Sequence, residues 1–448
     1  MQMTKLIAWA LALSVALTAL PAAAQTPPDA APAAQAAPAG ETALGEFIVT
    51  GHKEEKLPRI AILPSLSADL EDVIVRSVVR RDIELTGMFD IISDSKAPAG
   101  LYSFDDPVDV PAWQNLGAES IVKVAARPQA GNKVQVLGLA YFLNVGKDPV
   151  YQKKIVVDKA DVRVTAHRIT DALLGALTGR PGGFASQLAF AARWTKNQRI
   201  FRLDADGQGL EPLTDAAEFA VAPTWGPNGV LFYASSRDYA PLKLFSLSGK
   251  TVTPVKLPYT TSVYGVSFNK DFSKMAVAVA EDGKSSIYVG LADGTGMTKA
   301  SGSELATRPV FSPTGKLAWI GGDPTHGSQR VYIDGKAVSP SGFGASGPAF
   351  CDTEDGVRLV YSVSVGNDNR DLVMSDDQGH GIVRLTQGQG SNTYPACSPD
   401  GRLLAFFSTR KGQPGIYMMS LKRFTTQLLT SKLGESLHWA ALPPPPAQ

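Results

Sequence analysis

From residue 57 onward the apolar residues change their rhythm once, and that change divides the chain. Arg59-Ile-Ala-Ile-Leu63 reads as a strand. Ser67 is placed to cap a helix whose first turn holds Asp69, Glu71 and Asp72, where the helix dipole favours carboxylates. Ile74, Val75, Val78, Val79 and Ile83 then recur at helical spacing, Gly87 stops the helix, and Phe89 to Ile92 is the next strand. A second helix is predicted from about Val164 to Leu177, with Ile169, Leu173, Leu174 and Leu177 on one face. Gly179-Arg-Pro-Gly-Gly183 breaks the chain there. Residues 57–179 are therefore expected to form a small mixed α/β domain.

Residues 184–442 repeat instead. One mark is an apolar residue closing a short strand, at Trp225, Phe268, Phe311, Phe350, Cys397 and Trp439, with intervals of 43, 43, 39, 47 and 42 residues. A turn usually follows, clearest as Ser398-Pro-Asp-Gly401, with weaker copies at Gly226-Pro-Asn-Gly229 and Ser312-Pro-Thr-Gly315. The second mark is an apolar pair on a later strand: Ile200-Phe201, Leu244-Phe245, Ile287-Tyr288, Val331-Tyr332, Leu372-Val373 and Ile416-Tyr417. Periods near 40–45 with several short strands per unit are those of β-propeller blades. The first pair has no strand-closing mark before it, and Trp439 has no pair after it. The array thus enters in mid-blade, and six of each mark predict six blades, the ring being closed by the C-terminal strand around Leu437 to Ala441.

Composition narrows the setting. Lys and Arg number 43 against 42 Asp and Glu, so the chain lacks the basic footprint of a nucleic-acid binder or of a protein drawn to anionic membrane. Lys5, the apolar run Leu6 to Leu20 and Ala22-Ala23-Ala24 before Gln25 read as a cleaved export signal over residues 1–24. Residues 25–44 are rich in Ala and Pro and are expected to stay disordered, as is the Pro-rich tail, 443–448. No later stretch is long and apolar enough to span a bilayer, so direct membrane insertion is not expected. Export permits Cys351 and Cys397 to pair, but small buried cysteine is the commoner state, and unpaired thiols are the expectation.

Catalytic chemistry finds no foothold. His52, His167, His326, His380 and His438 lie outside helical reach of one another, and no His/Cys group has metal-ligand spacing. A G-x-S-x-G elbow and a phosphate loop are both missing from the sequence. Asp400 and Asp355 are explained by turn chemistry, and His167 is read as a capping or domain-packing histidine. Neither an enzyme, a cofactor nor a metal is expected.

Ala166-His-Arg-Ile-Thr-Asp171 followed by Leu177-Thr-Gly-Arg-Pro-Gly182 and Phe184 resembles the A-H-x-x-[ST]-D … L-T-G-x-x-G-x-F signature of the TolB family, the periplasmic propellers of the Tol–Pal cell-envelope system. Leu85-Thr-Gly-Met-Phe89 and Trp113 to Ser120 are similar to further segments of that family. The resemblance implies a non-catalytic periplasmic adaptor that supports outer-membrane integrity and envelope constriction at division. Its implied partners are the peptidoglycan-associated lipoprotein (Pal) and TolA, with other outer-membrane lipoproteins or porins as further candidates. TolA binding maps onto the extended segment 45–56, through Glu46, Phe47, Ile48, Val49 and Thr50. Alternation of apolar and polar residues there suits addition to a partner sheet, and packing on its own domain is the equal alternative. Pal binding maps onto the loops entering the innermost strands, through Glu218, Phe219, Tyr264, Arg308, Asn392, Thr393 and Tyr394; Asn392-Thr-Tyr-Pro395 matches the family's N-T-x-P. The competing class is an exported propeller enzyme or a glycan- or ligand-binding module, which a channel lined by converging polar groups would favour.

Overall fold

The structure, a computed structural model, describes residues 56–442 apart from 101, 195, 237–239, 303–304 and 324–326. The expected export signal (1–24), the leader (25–44), the segment carrying Glu46, Phe47, Ile48, Val49 and Thr50, and the tail (443–448) lie outside the described residues.

The first part is a sheet of five strands in the order β2-β1-β3-β4-β5: β1 Arg59–Ile62, β2 Asp90–Ile91, β3 Ser120–Gln129, β4 Lys133–Phe142 and β5 Pro149–Asp158. β1 runs parallel to β2 and β3, and the rest is antiparallel. The unbroken apolar run in β1 is explained by cover on both faces. Ile60 and Ile62 meet α1 (Leu70–Thr86) and α3 (Val162–Thr178) through Val75, Val79, Ile83, Ile169 and Leu173. Ala61 and Leu63 point the other way, onto Trp113 of the short helix α2 (Val110–Asn115). One local expectation is corrected. The N-cap of α1 is Asp69, and the Ser67 hydroxyl instead accepts from the Asp69 N–H at 3.1 Å, closing a turn ahead of the helix.

Beyond α3 the described residues form six four-stranded sheets. Their innermost strands are Phe219–Trp225, Val263–Phe268, Thr307–Phe311, Ser346–Thr353, Asn392–Cys397 and Glu435–Trp439. The ring closes as expected. Glu435–Trp439 pairs inside Gln187–Trp194, with Trp439 opposite Leu188, and the Trp439 indole donates to Ser186 Oγ at 2.7 Å. The recurring apolar pair explains its own period. Phe201, Phe245, Tyr332 and Tyr417 sit opposite Phe190, Tyr233, Trp319 and Phe406 on the next strand inward. In these four blades the ring centroids lie 5.8, 6.0, 6.1 and 6.3 Å apart, so each repeat contributes one stacked pair to the wall.

The cysteines overturn the expectation of free thiols. Cys351 and Cys397 are joined, with Cα atoms 5.3 Å apart. Their separation of 46 residues is about one blade, so the repeat itself sets them side by side on neighbouring innermost strands.

The α/β part and the propeller belong to one compact unit. Leu85 and Leu174 join a single apolar cluster with Phe184, Phe190, Phe407 and Trp439. Arg402 in the propeller donates to the carbonyls of Pro181 and Arg180, both at 2.7 Å, and to Thr178 Oγ1 at 2.9 Å.

Candidate functional site

Each innermost strand slips register against the strand outside it. In four of them the slip falls at a residue before proline: Ala222-Pro223, Arg308-Pro309, Gly347-Pro348 and Tyr394-Pro395. Proline has no N–H to lose, so it is tolerated at a bulge on a sheet edge. Ala222, Arg308, Tyr394 and Ser436 take φ of 51°, 53°, 51° and 54°. For a side chain other than glycine this left-handed backbone costs roughly 1–2 kcal/mol per residue. Strain of this kind persists where the surroundings enforce it, and it clusters at functional sites. Here all four residues line one funnel of about 720 Å³ at the mouth of the ring.

The funnel gathers Phe219, Tyr264, Arg308, Thr393 and Tyr394 from four different innermost strands. Phe219 and Tyr264 are 39% and 42% exposed, large enough fractions for a partner to cover. Tyr394 is more enclosed. It packs edge-on against Phe407, and burial pushes its phenol pKa up. The Arg308 guanidinium lies over the Tyr394 ring at 4.5 Å and donates to its hydroxyl at 3.1 Å. Tyr394 in turn donates to Glu435 Oε2 at 3.4 Å, and Gln198 holds the other Glu435 oxygen at 3.2 Å. The remaining expected residues stand back from the mouth. Asn392 is fully buried, its amide donating to the Arg370 and Gly390 carbonyls at 3.3 Å each. Glu218 is buried beneath Phe219 and accepts from the Ser235 hydroxyl. Sequence reasoning missed Arg370, Glu435 and Ser436; the X-Pro dipeptides were the available signal for where the bulges fall.

A second polar cluster lies where α1, α3 and the propeller meet. Asp82, His167 and Asp206 are all buried and offer ligand atoms within 4.8 Å of one another. All three already have charged or hydrogen-bonded partners. His167 Nδ1 is 2.8 Å from Asp82, and Arg163 pairs with Asp206 and, at 2.8 Å, with Asp204. Burial alone would lower the His167 pKa; the charge of Asp82 and the hydrogen bond to it outweigh burial and raise it. The cluster reads as a charge-paired lock between helices and propeller, matching the packing role expected of His167. Asp171, one turn further on, accepts from the Phe184 and Ala185 N–H groups at 2.7 and 2.9 Å. Burial pushes its pKa up to about 7.

Residues 48–138 match the TolB amino-terminal domain model. The chain is a TolB relative. The Tol-Pal system protein TolB of Anaeromyxobacter dehalogenans (strain 2CP-C) is 30% identical over 234 residues, 50% of this chain and 51% of that protein. The protein of the same description from Polaromonas sp. (strain JS666 / ATCC BAA-500) is 28% identical over 170 residues, 38% of this chain and 39% of its own. The chain therefore spans about half the length, or less, of these curated relatives. The crystal structure of TolB from Acinetobacter baumannii shares the fold, with a TM-score of 0.72 at 20% identity over 86% of this chain and 97% of that one. Among the described residues no helix is long and apolar enough to cross a membrane.

Proposed function

We propose that this chain is a non-catalytic adaptor of a Tol–Pal system, exported to the periplasm. A Pal-type lipoprotein docks on the funnel, and a TolA-type partner takes the segment Glu46 to Thr50. The observation that carries the reading is the funnel mouth. Phe219 and Tyr264 supply exposed aromatic area around an Arg308–Tyr394 centre already fixed by its own hydrogen bonds. Aromatic residues and arginine dominate interface energetics, and a preformed centre costs little to order on binding. Docking of this kind, with the second partner on a separate segment, links two proteins without chemistry on either. Supporting it further, the chain resembles proteins named as Tol-Pal components.

The test is a pull-down from envelope extracts with the mature chain and with a version lacking residues 25–51. Recovery of a Pal lipoprotein by both, and of TolA only by the longer one, is the expected result. If neither partner is recovered, the adaptor reading fails.

A further inference from the structure

The innermost strand Phe219–Trp225 begins at the funnel and ends, roughly 20 Å away at about 3.4 Å per residue, in a different cavity. This crevice, about 750 Å³, lies between the first half of α3 and the far face of the propeller. Its volume falls in the range of small-molecule pockets, and domain junctions are a usual place for them. Phe184, Phe272 and Leu442 supply apolar wall.

Three polar groups on that wall have no partner among the described residues. Arg168 is half-buried and makes no ion pair or hydrogen bond among the described residues. The buried Trp225 indole N–H has no partner among them either. His167 is 3% exposed and lines the crevice, yet its Nε2 is unpartnered while Nδ1 is committed to Asp82. An ionised Asp82 can only accept, so Nδ1 then carries a proton, and the charge of Asp82, which raises the ring's pKa, favours a second proton at Nε2. Two other charges on the wall, Asp204 and Arg163, are paired with each other, Arg163 being shared with the buried Asp206, and Arg202 is paired with Glu211. What remains without a partner on this wall is the Arg168 guanidinium, the Trp225 N–H and His167 Nε2.

We propose that this crevice is a second binding site, for a small amphipathic anion: one carboxylate, phosphate or sulfonate head on an apolar body. The head is met by the Arg168 guanidinium with the His167 Nε2–H and Trp225 Nε1–H, and the body lies along Phe184, Phe272 and Leu442. Buried donors left unpaired cost free energy, so an acceptor arriving there is favoured beyond its apolar contacts. The site is separate from the funnel, and the proposal does not rest on the adaptor reading.

The probe is 1-anilinonaphthalene-8-sulfonate, whose sulfonate and fused rings have this chemistry, titrated by fluorescence into the mature folded chain. Saturable binding at one site is expected, weakened at least about tenfold in Arg168→Gln. Arg168→Lys restores part of the affinity, and Phe219→Ala at the funnel leaves it within about twofold. The uncharged analogue N-phenyl-1-naphthylamine binds at least about tenfold more weakly. Thermal melts of each variant confirm that the folded chain is being titrated. Equal binding of the neutral analogue, unchanged affinity in Arg168→Gln, or several weak sites would each overturn the proposal.

Discussion

Replacing Cys351 and Cys397 with alanine removes a covalent tie between adjacent blades, and its cost follows from where the bond sits. The closed loop spans 46 residues. In the chain-entropy account a loop of that size restricts the unfolded state by about 4 kcal/mol. Alanine also leaves a small void, because Cys351 is fully buried among Val360, Leu372, Leu404 and Phe406. That second loss is on the order of 1 kcal/mol per site. Reduced wild-type protein separates the two, since it loses the tie and keeps the sulfurs. For a propeller of this size 1 kcal/mol moves the melting point roughly 2–4 °C, so reduction should lower it by roughly 8–16 °C and the double variant by a few degrees more. Circular dichroism melts of oxidised, reduced and double-alanine protein measure these shifts. Alkylation under denaturing conditions without reductant, read by mass spectrometry, should label neither cysteine. Labelling of both, or oxidised and reduced melts within about 2 °C, would refute the reasoning.

Other perturbations test the junction, the closure and the funnel. Asp171 has a folded-state pKa near 7, above its unfolded value, so the stability it gives is complete at low pH and is lost as pH rises through about 7. The raised His167 adds a loss in the same direction. Urea midpoints should therefore fall between pH 5.5 and 8, and Asp171→Asn should flatten that slope; an unchanged slope would count against Asp171 as its source. Trp439→Ala empties a buried site on the closing strand and loses the bond to Ser186, which should cost about 3–5 kcal/mol by urea unfolding. Arg308→Ala should weaken Pal binding, measured by calorimetry, by about 2 kcal/mol, roughly thirtyfold. Arg308→Gly should bind as poorly as Arg308→Ala but unfold about 1 kcal/mol later, because glycine relieves the φ of 53°; equal stability of the two would show that the bulge is unstrained.

The propeller was legible because a blade repeats its packing. Phe201, Phe245, Tyr332 and Tyr417 each stack on the strand inward, and a requirement met once per blade leaves a period near 44. The phase of the marks carried the closure, since Trp439 has no apolar pair after it and pairs with the first blade. Contacts that occur once leave no period. His167 and Asp82 are 85 residues apart, and nothing local in either helix marks the pairing. The disulfide was misread for a related reason. Cysteine count was weighed against fold stapling, whereas the 46-residue separation already matched one blade. At the funnel the expected residues were named from the loops entering the innermost strands, and the structure divides them. Five line the mouth, while Asn392 and Glu218 are buried in support of it.

That division separates two kinds of conspicuous residue. His167 and Asp171 stand in the most specific stretch of sequence, yet both are buried: His167 ties the two long helices of the α/β part together through Asp82, and Asp171 holds the Phe184 and Ala185 N–H groups where the propeller begins. Their identity is dictated by packing, where loss of a buried partner leaves an unpaired polar group. Arg308 satisfies no such need: glycine there would lower backbone strain, and Arg308 does not close the ring. A fold selected for stability alone would place glycine at position 308, as it has at Gly347 in the next blade. Tyr394 offsets part of its own backbone strain by packing on Phe407, whereas Arg308 returns only its stacking on Tyr394, its hydrogen bonds and a surface at the mouth. The strain therefore points to binding at the funnel, whereas the signature at the junction points to assembly of the fold.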